Sequence, residues 1–242
     1  YTVLSADVGL SQSSTYSNIA AKLATAIRTT TASVNALSTS TAVNISSVAV
    51  GAPVTVVSAD SAYVSGGTLD TASGGSIDIE SVDGITITGV LGQRLITDGD
   101  LGGAKVSNIR IESLAGDVNL MRNTNVRDTL TVVGNSVGVL SGSYVYATGA
   151  ESSLYLKARN ALVLSGRAIA AGLDPAIAKA ANLVHMVAPT MTINGTIDVT
   201  SLTGRALLSA GKAITVGGTI VSKGSIDVHS GINMALSRAD ME

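Results

Sequence analysis

Short runs of alternating apolar and polar residues succeed one another in this chain too closely for helical crossovers. Those centred near Ile197, Leu208, Ile214, Ile220, Ile226 and Ile232 are separated by only a few Gly, Ser, Thr or Asn residues. A parallel connection through a helix needs roughly a dozen residues or more, so adjacent runs must form hairpins or occupy different faces of a coiled stack. The Asn-Gly pair favoured in tight hairpins occurs once, at Asn194 and Gly195. The stack is therefore favoured: each glycine turns a corner through its access to positive φ, and each strand pairs with its equivalent one coil above and below.

The alternation is legible in detail. Ile77 and Ile79 are expected inward with Asp78 and Glu80 outward, and Ile109 and Ile111 inward with Arg110 and Glu112 outward. Val118 and Leu120, Leu130 and Val132, Leu154 and Leu156, and Leu162 and Leu164 repeat the pattern. Ser65-Gly66-Gly67-Thr68-Leu69-Asp70 recurs as Ser73-Gly74-Gly75-Ser76-Ile77-Asp78, and Gly-[Ser/Thr]-[Ile/Leu] returns at Gly195, Gly218 and Gly224. Residues 60–240 would supply roughly nine coils of about 20 residues.

Composition agrees with a narrow interior. Of 242 residues 45% are hydrophobic, yet Phe and Trp are absent and aromatic content is 2%. Val, Ile, Leu and Ala must fill the core in rows, without rings to fill irregular space. Charged residues are 13%, about half the usual share, which leaves the outer faces to Ser, Thr, Asn and Gly. Fifteen basic and 17 acidic residues give a net charge of -2 with no basic cluster, which argues against nucleic acid as a partner. Cysteine is absent, excluding disulfides and thiolate metal sites, and no apolar run reaches the roughly 18 residues of a membrane span. The chain opens at Tyr1 without a basic, apolar leader, and is expected to be a processed or excised piece.

Two segments depart from period two. From Thr15 to Leu37, Ile19, Leu23, Ile27, Val34 and Leu37 recur at helical spacing, weakened by Thr29, Thr30 and Thr31. This predicts an amphipathic helix within residues 1–40, a cap on the stack or an assembly element. Asp174 and Pro175 read as N-cap and first helical residue of a short excursion over 174–184, after which Pro189 returns the chain to an extended path. Residues 41–242 are otherwise read as the solenoid.

The stretch Leu202 to Gly231 resembles the repeats of filamentous-haemagglutinin-type adhesins, exoproteins of the two-partner secretion class. The matching pieces are Ala210-Gly211-Lys212-Ala213-Ile214-Thr215-Val216 and Gly224-Ser225-Ile226-Asp227-Val228, with Ala115-Gly116-Asp117-Val118-Asn119-Leu120 as an isolated echo. The resemblance covers about a quarter of the chain and implies a right-handed parallel β-helix in a secreted or cell-surface bacterial protein. The family's N-terminal secretion signature is not recognisable here.

Candidate chemistry is sparse. Gly134-Asn135-Ser136-Val137-Gly138 matches the nucleophile-elbow pattern, but the stretch from Gly138 to Tyr146 is β-branched and Gly-rich instead of helical, and only His185 and His229 could act as base. Asp98-Gly99-Asp100, near Arg94, offers two carboxylates for a divalent cation or a sugar-bond reaction, but no third acid follows at useful spacing and the segment is read as a solvated turn. Asp227 and His229 share an outer face but make neither a triad nor a metal site, and His185 is placed at the end of the short helix. Lys212 lies in no phosphate-loop spacing. Asn44-Ile45-Ser46 and Asn194-Gly195-Thr196 fit the short glycosylation pattern. Tyr144 and Tyr146 share a strand face with Tyr155 close by, and are expected either to contact a ligand or partner or, equally, to form an aromatic ladder covering the core.

The expectation is a mainly β chain, a right-handed parallel β-helix with an N-terminal helix and one helical insertion. It would act as a non-catalytic structural or adhesive module, extracellular or at the cell surface, without cofactor or metal. Its partners would be a host or neighbouring-cell surface, or copies of itself. The alternatives are a self-assembling filament or sheath subunit docking through Ile19, Leu23, Ile27 and Val34, and a polysaccharide-acting enzyme on a β-helix.

Overall fold

The computed structural model describes residues 75–92, 106–171 and 182–231 throughout, together with strands and a few helical residues before them. Strands β1 (Val34–Ser38) and β2 (Val43–Ser47) come first and pair antiparallel. Seven sets of strands succeed them among the described residues, each set forming one tier. The first three tiers have three strands each: β3 (Val54–Ser58), β4 (Ala62–Val64) and β5 (Thr68–Leu69); β6 (Ser76–Ser81), β7 (Ile85–Ile87) and β8 (Val90–Leu91); β9 (Asn108–Ser113), β10 (Val118–Leu120) and β11 (Thr124–Val126). In the next four a long strand replaces the first two: β12 (Thr129–Val139) and β13 (Tyr144–Ala147), β14 (Ser153–Leu164) and β15 (Arg167–Ala170), β16 (Leu183–Ile193) and β17 (Thr196–Val199), β18 (Arg205–Val216) and β19 (Thr219–Ser222). Strand β20 (Ser225–Ser230) opens an eighth tier.

Each strand pairs in parallel with its equivalents in the tiers before and after. The result is an 11-stranded sheet running from β3 and β4 to β20, and a nine-stranded sheet from β1 to β19. The change from one kind of tier to the other is visible in β12, whose first half lies on β9 and second half on β10. The mainly β, parallel-sheet expectation holds, and the pairing is compatible with a β-solenoid.

Alternation puts the apolar residues inside, as expected. Ile77, Ile109, Leu130, Leu154, Val184 and Ala206 form one buried column, and Ile79, Ile111, Val132, Leu156, Met186 and Leu208 the next. These belong to a single aliphatic cluster reaching from Ala62 to Leu208. Where the long strands bend, the register shifts at Gly134–Ser136, Lys157–Ala161 and Ala188–Thr190. Pro189 falls in the last of these, where a missing ladder N–H costs least.

Glycines act here by permitting close approach more than by positive φ. Only Gly92, Gly142 and Gly231 have positive φ among the described glycines. Gly166, Gly195 and Gly218 precede β15, β17 and β19, one above another. A Cβ on Gly195 would overlap the carbonyl oxygen of Gly166, and one on Gly218 that of Gly195. Those oxygens accept from the N–H groups of Thr196 (3.0 Å) and Thr219 (2.9 Å), so the tiers touch backbone to backbone.

Several expectations are corrected. Val34 and Leu37 lie in β1, not in a helix: the three threonines before them disfavour helix, and Val34 to Ser38 find ladder partners in Val43 to Ser47. The β structure therefore begins before residue 41. Asn18, Ala21, Lys22, Ala24 and Thr25 are helical, and Ile19, Leu23 and Ile27 lie outside the described residues. Val184 belongs to β16, as does His185, because their neighbours Leu154 and Tyr155 offer a ladder in register; 172–181 lie outside the described residues.

The near-identical pieces around Leu69 and Ile77 are not equivalent, since Leu69 pairs with Leu91 in one sheet and Ile77 with Ile109 in the other. Asn194-Gly195 turns a corner between β16 and β17 instead of a hairpin. Roughly nine coils become seven tiers and part of an eighth among the described residues. Residues 93–105, between β8 and β9, and 172–181, between β15 and β16, lie outside the described residues.

Candidate functional site

The outer faces carry three groups of interacting side chains. On the 11-stranded sheet, Asp78 and Arg110 are register partners, as are Glu80 and Glu112. Arg110 Nη2 donates to the Glu112 carboxylate, and Nη1 reaches Asp78 Oδ1 at 3.4 Å and Glu80 Oε2 at 3.8 Å. From two tiers away Arg159 places Nη2 at 4.0 Å from Glu112 Oε1 and donates Nη1 to the Ser113 carbonyl at 3.0 Å. The Glu112 side chain is only 4% exposed although it points outward. A carboxylate so enclosed needs both guanidinium groups.

Further along the same face Tyr155 and His185 are register partners and meet edge to face at 6.0 Å, with Lys157 Nζ 5.9 Å from the tyrosine ring. Burial, then the charges of Lys157 and Arg205, hold the His185 imidazole below its ordinary pKa; burial lowers Lys157 as well. Arg205 donates Nε to Asp227 Oδ2 at 2.6 Å, and this bond holds the Asp227 carboxyl below its usual range.

The third group lies on the nine-stranded sheet. Tyr144 and Tyr146 stack with centroids 5.8 Å apart, and the Arg167 guanidinium sits 5.5 Å from the Tyr144 ring. Tyr146 is buried with Ile169 and Ala171 in a small apolar cluster outside the main core. Tyr144 is the more accessible ring of the pair.

The structure therefore joins Tyr144 to Tyr146 and places Tyr155 on the other sheet beside His185. Ser136 lies inside β12, where its N–H and the Asn135 amide donate to Asp117 Oδ1 at 2.9 and 3.1 Å, so the strand-to-helix turn of a nucleophile elbow is not formed. Asp227 and His229 share an outer face, but Asp227 is engaged by Arg205 and Ser225. Arg94, Asp98 and Asp100 lie outside the described residues. Val34, placed on the assembly helix by its spacing, is in a strand.

Sequence reasoning passed over Arg159 and Glu112. The signal was present, since acids at Glu80 and Glu112 with an intervening Arg110 recur on one outward pattern, but only the register brings them together. Among the described residues no group of three or more His, Cys, Asp and Glu is placed to hold a metal ion, and no helix is long and apolar enough to cross a membrane.

Val118 and Ile214 stand in one ladder through Val137, Leu162 and Met191, so residues 118–120 occupy the same strand position as residues 214–216. No family model, curated protein or solved structure matches the chain.

Proposed function

We propose that this chain is a right-handed parallel β-solenoid serving as a non-catalytic structural or adhesive module at the cell surface or outside the cell. The observation that carries this reading is where the chain spends its length. From long strand to short strand the connections are a few residues, as at Ser165-Gly166 and Gly217-Gly218. From the short strand to the next tier they vary from Lys223-Gly224 to the long segments 92–107 and 171–182. Length variation confined to one kind of connection in a regular stack is how repeat scaffolds vary what they present. The partner on this reading is a host or neighbouring-cell surface.

The test is replacement of 172–181 by a Lys-Gly corner of the kind that joins β19 to β20. Strand content by circular dichroism should persist, while binding to immobilised cells or glycans should fall at least tenfold. Unchanged binding for this variant and for an equivalent shortening of 93–105 would sink the reading. So would cleavage of a polysaccharide that Asp98→Asn or Asp100→Asn abolishes, which would favour the enzyme instead.

A further inference from the structure

Buried hydroxyls elsewhere in the stack are bonded to nearby carbonyls: Ser81 Oγ donates to Gly84, Ser113 Oγ to Asp83 and Ser152 Oγ to Ala147. Thr124 and Ser143 differ. The two residues are enclosed, at 0% and 1% exposure, and their side-chain oxygens have no hydrogen-bond partner in the protein. A hydroxyl shut away from solvent without a partner is costly, so this pair points to a small polar ligand.

Both lie at the changeover between the two kinds of tier. Thr124 opens β11 in the third tier and pairs with Val145 of β13 in the fourth. Val145 belongs to the core, so Thr124 faces inward, and Ser143, two residues before Val145, is turned to the same side. The Ser143 carbonyl accepts from the Arg167 N–H at 2.9 Å, which carries the ladder of β13 back to it. One strand spacing and two residues separate the pair, about 8 Å at Cα. That is too far for a direct hydrogen bond between such short side chains and within reach of one bridging molecule.

Corner lengths point to the same place. Between the 11-stranded and the nine-stranded sheet the chain takes two residues at Thr88-Gly89, Ser165-Gly166, Asn194-Gly195 and Gly217-Gly218. It takes three at 121–123, just ahead of Thr124, and four at 140–143, ending on Ser143. Gly142, at φ 79°, and the bond from the Ser143 N–H to the Leu140 carbonyl close the longer turn. Extra backbone therefore falls in the two tiers that hold the unpartnered hydroxyls.

We propose that Thr124 and Ser143 bind one internal water molecule, a spacer that fits the three-residue corner of the third tier to the four-residue corner of the fourth. Each hydroxyl offers one donor and two acceptor lone pairs, and an enclosed water needs about two to four polar partners. An ion is disfavoured. Leu91, Val126 and Val145, the inward neighbours of Thr124 along its ladder and strand, are aliphatic, and a charge beside them would stand uncompensated. The site follows from the register of the tiers and does not depend on what the module binds.

Magnetic relaxation dispersion of the water signal counts long-lived internal waters in the full chain. Thr124→Val combined with Ser143→Ala should lose one of them, while Thr124→Ser, which keeps the hydroxyl, should lose none. Electron density from crystals of the unsubstituted chain should show the water within hydrogen-bond distance of both oxygens. Because the two groups share one ligand, the shift in urea midpoint for the double variant should be smaller than the sum of the single shifts. An unchanged water count in the double variant, density placing either hydroxyl on a backbone carbonyl, or additive midpoints would overturn the proposal. Circular dichroism on the same samples checks the fold; should the double variant not fold, the density of the unsubstituted chain decides.

Discussion

Gly217 and Gly218 are adjacent in sequence and opposite in tolerance. A Cβ on Gly217 meets only the Asn194 side-chain oxygen at 3.2 Å, whereas one on Gly218 enters the Gly195 carbonyl. Gly218→Ala should cost about 2–4 kcal/mol in urea unfolding, and Gly217→Ala no more than about 0.5 kcal/mol. His185 yields a pH prediction. Its folded pKa is depressed, so the fold favours the neutral ring, and this contribution is complete above the ordinary value of 6.5. It is lost as pH falls through the lower folded value. The melting temperature should therefore drop between pH 7 and 5, and His185→Phe, which keeps a ring against Tyr155, should lose part of that drop in paired melts.

At the scale of elements, the Arg110 network ties β6, β9 and β14 together across their outer face. Arg110→Ala leaves Glu112 enclosed with Arg159 as its remaining cationic partner, and should destabilise by about 2 kcal/mol; the fuller cost of breaking a buried pair is reduced because Arg110 itself is partly exposed. Glu112→Gln in the same chain should recover most of the loss, as followed by urea midpoint. The period-two pattern of β6, β9 and β10 made their inward residues readable, because one apolar face along a strand identifies itself. It could not say that Arg159 closes over Glu112. The two residues belong to different tiers, and the connections that set the register vary in length.

Across the molecule, each tier touches only its neighbours, so stability should vary along the stack and not be uniform. Backbone amides of β14 and β16, paired on both sides, should exchange slowest, and those of β20, paired on one side, fastest. Hydrogen exchange read by mass spectrometry should give this gradient; equal protection in β16 and β20 would contradict it.

Alternation, the aliphatic composition and the closeness of the strands are local properties, and they were enough to determine inward faces and parallel stacking. They also predicted that Asp227 and His229 share a face. The tertiary structure alone decided which strands are equivalent. It separated the look-alike pieces around Leu69 and Ile77, joined the distant ones at residues 118–120 and 214–216, and drew Val34 and Val184 into strands. Ladder partners outweighed local helical spacing at both valines, because backbone hydrogen bonds in register form only once the neighbouring tier is in place. The same dependence moved Tyr155 from its expected neighbours to His185.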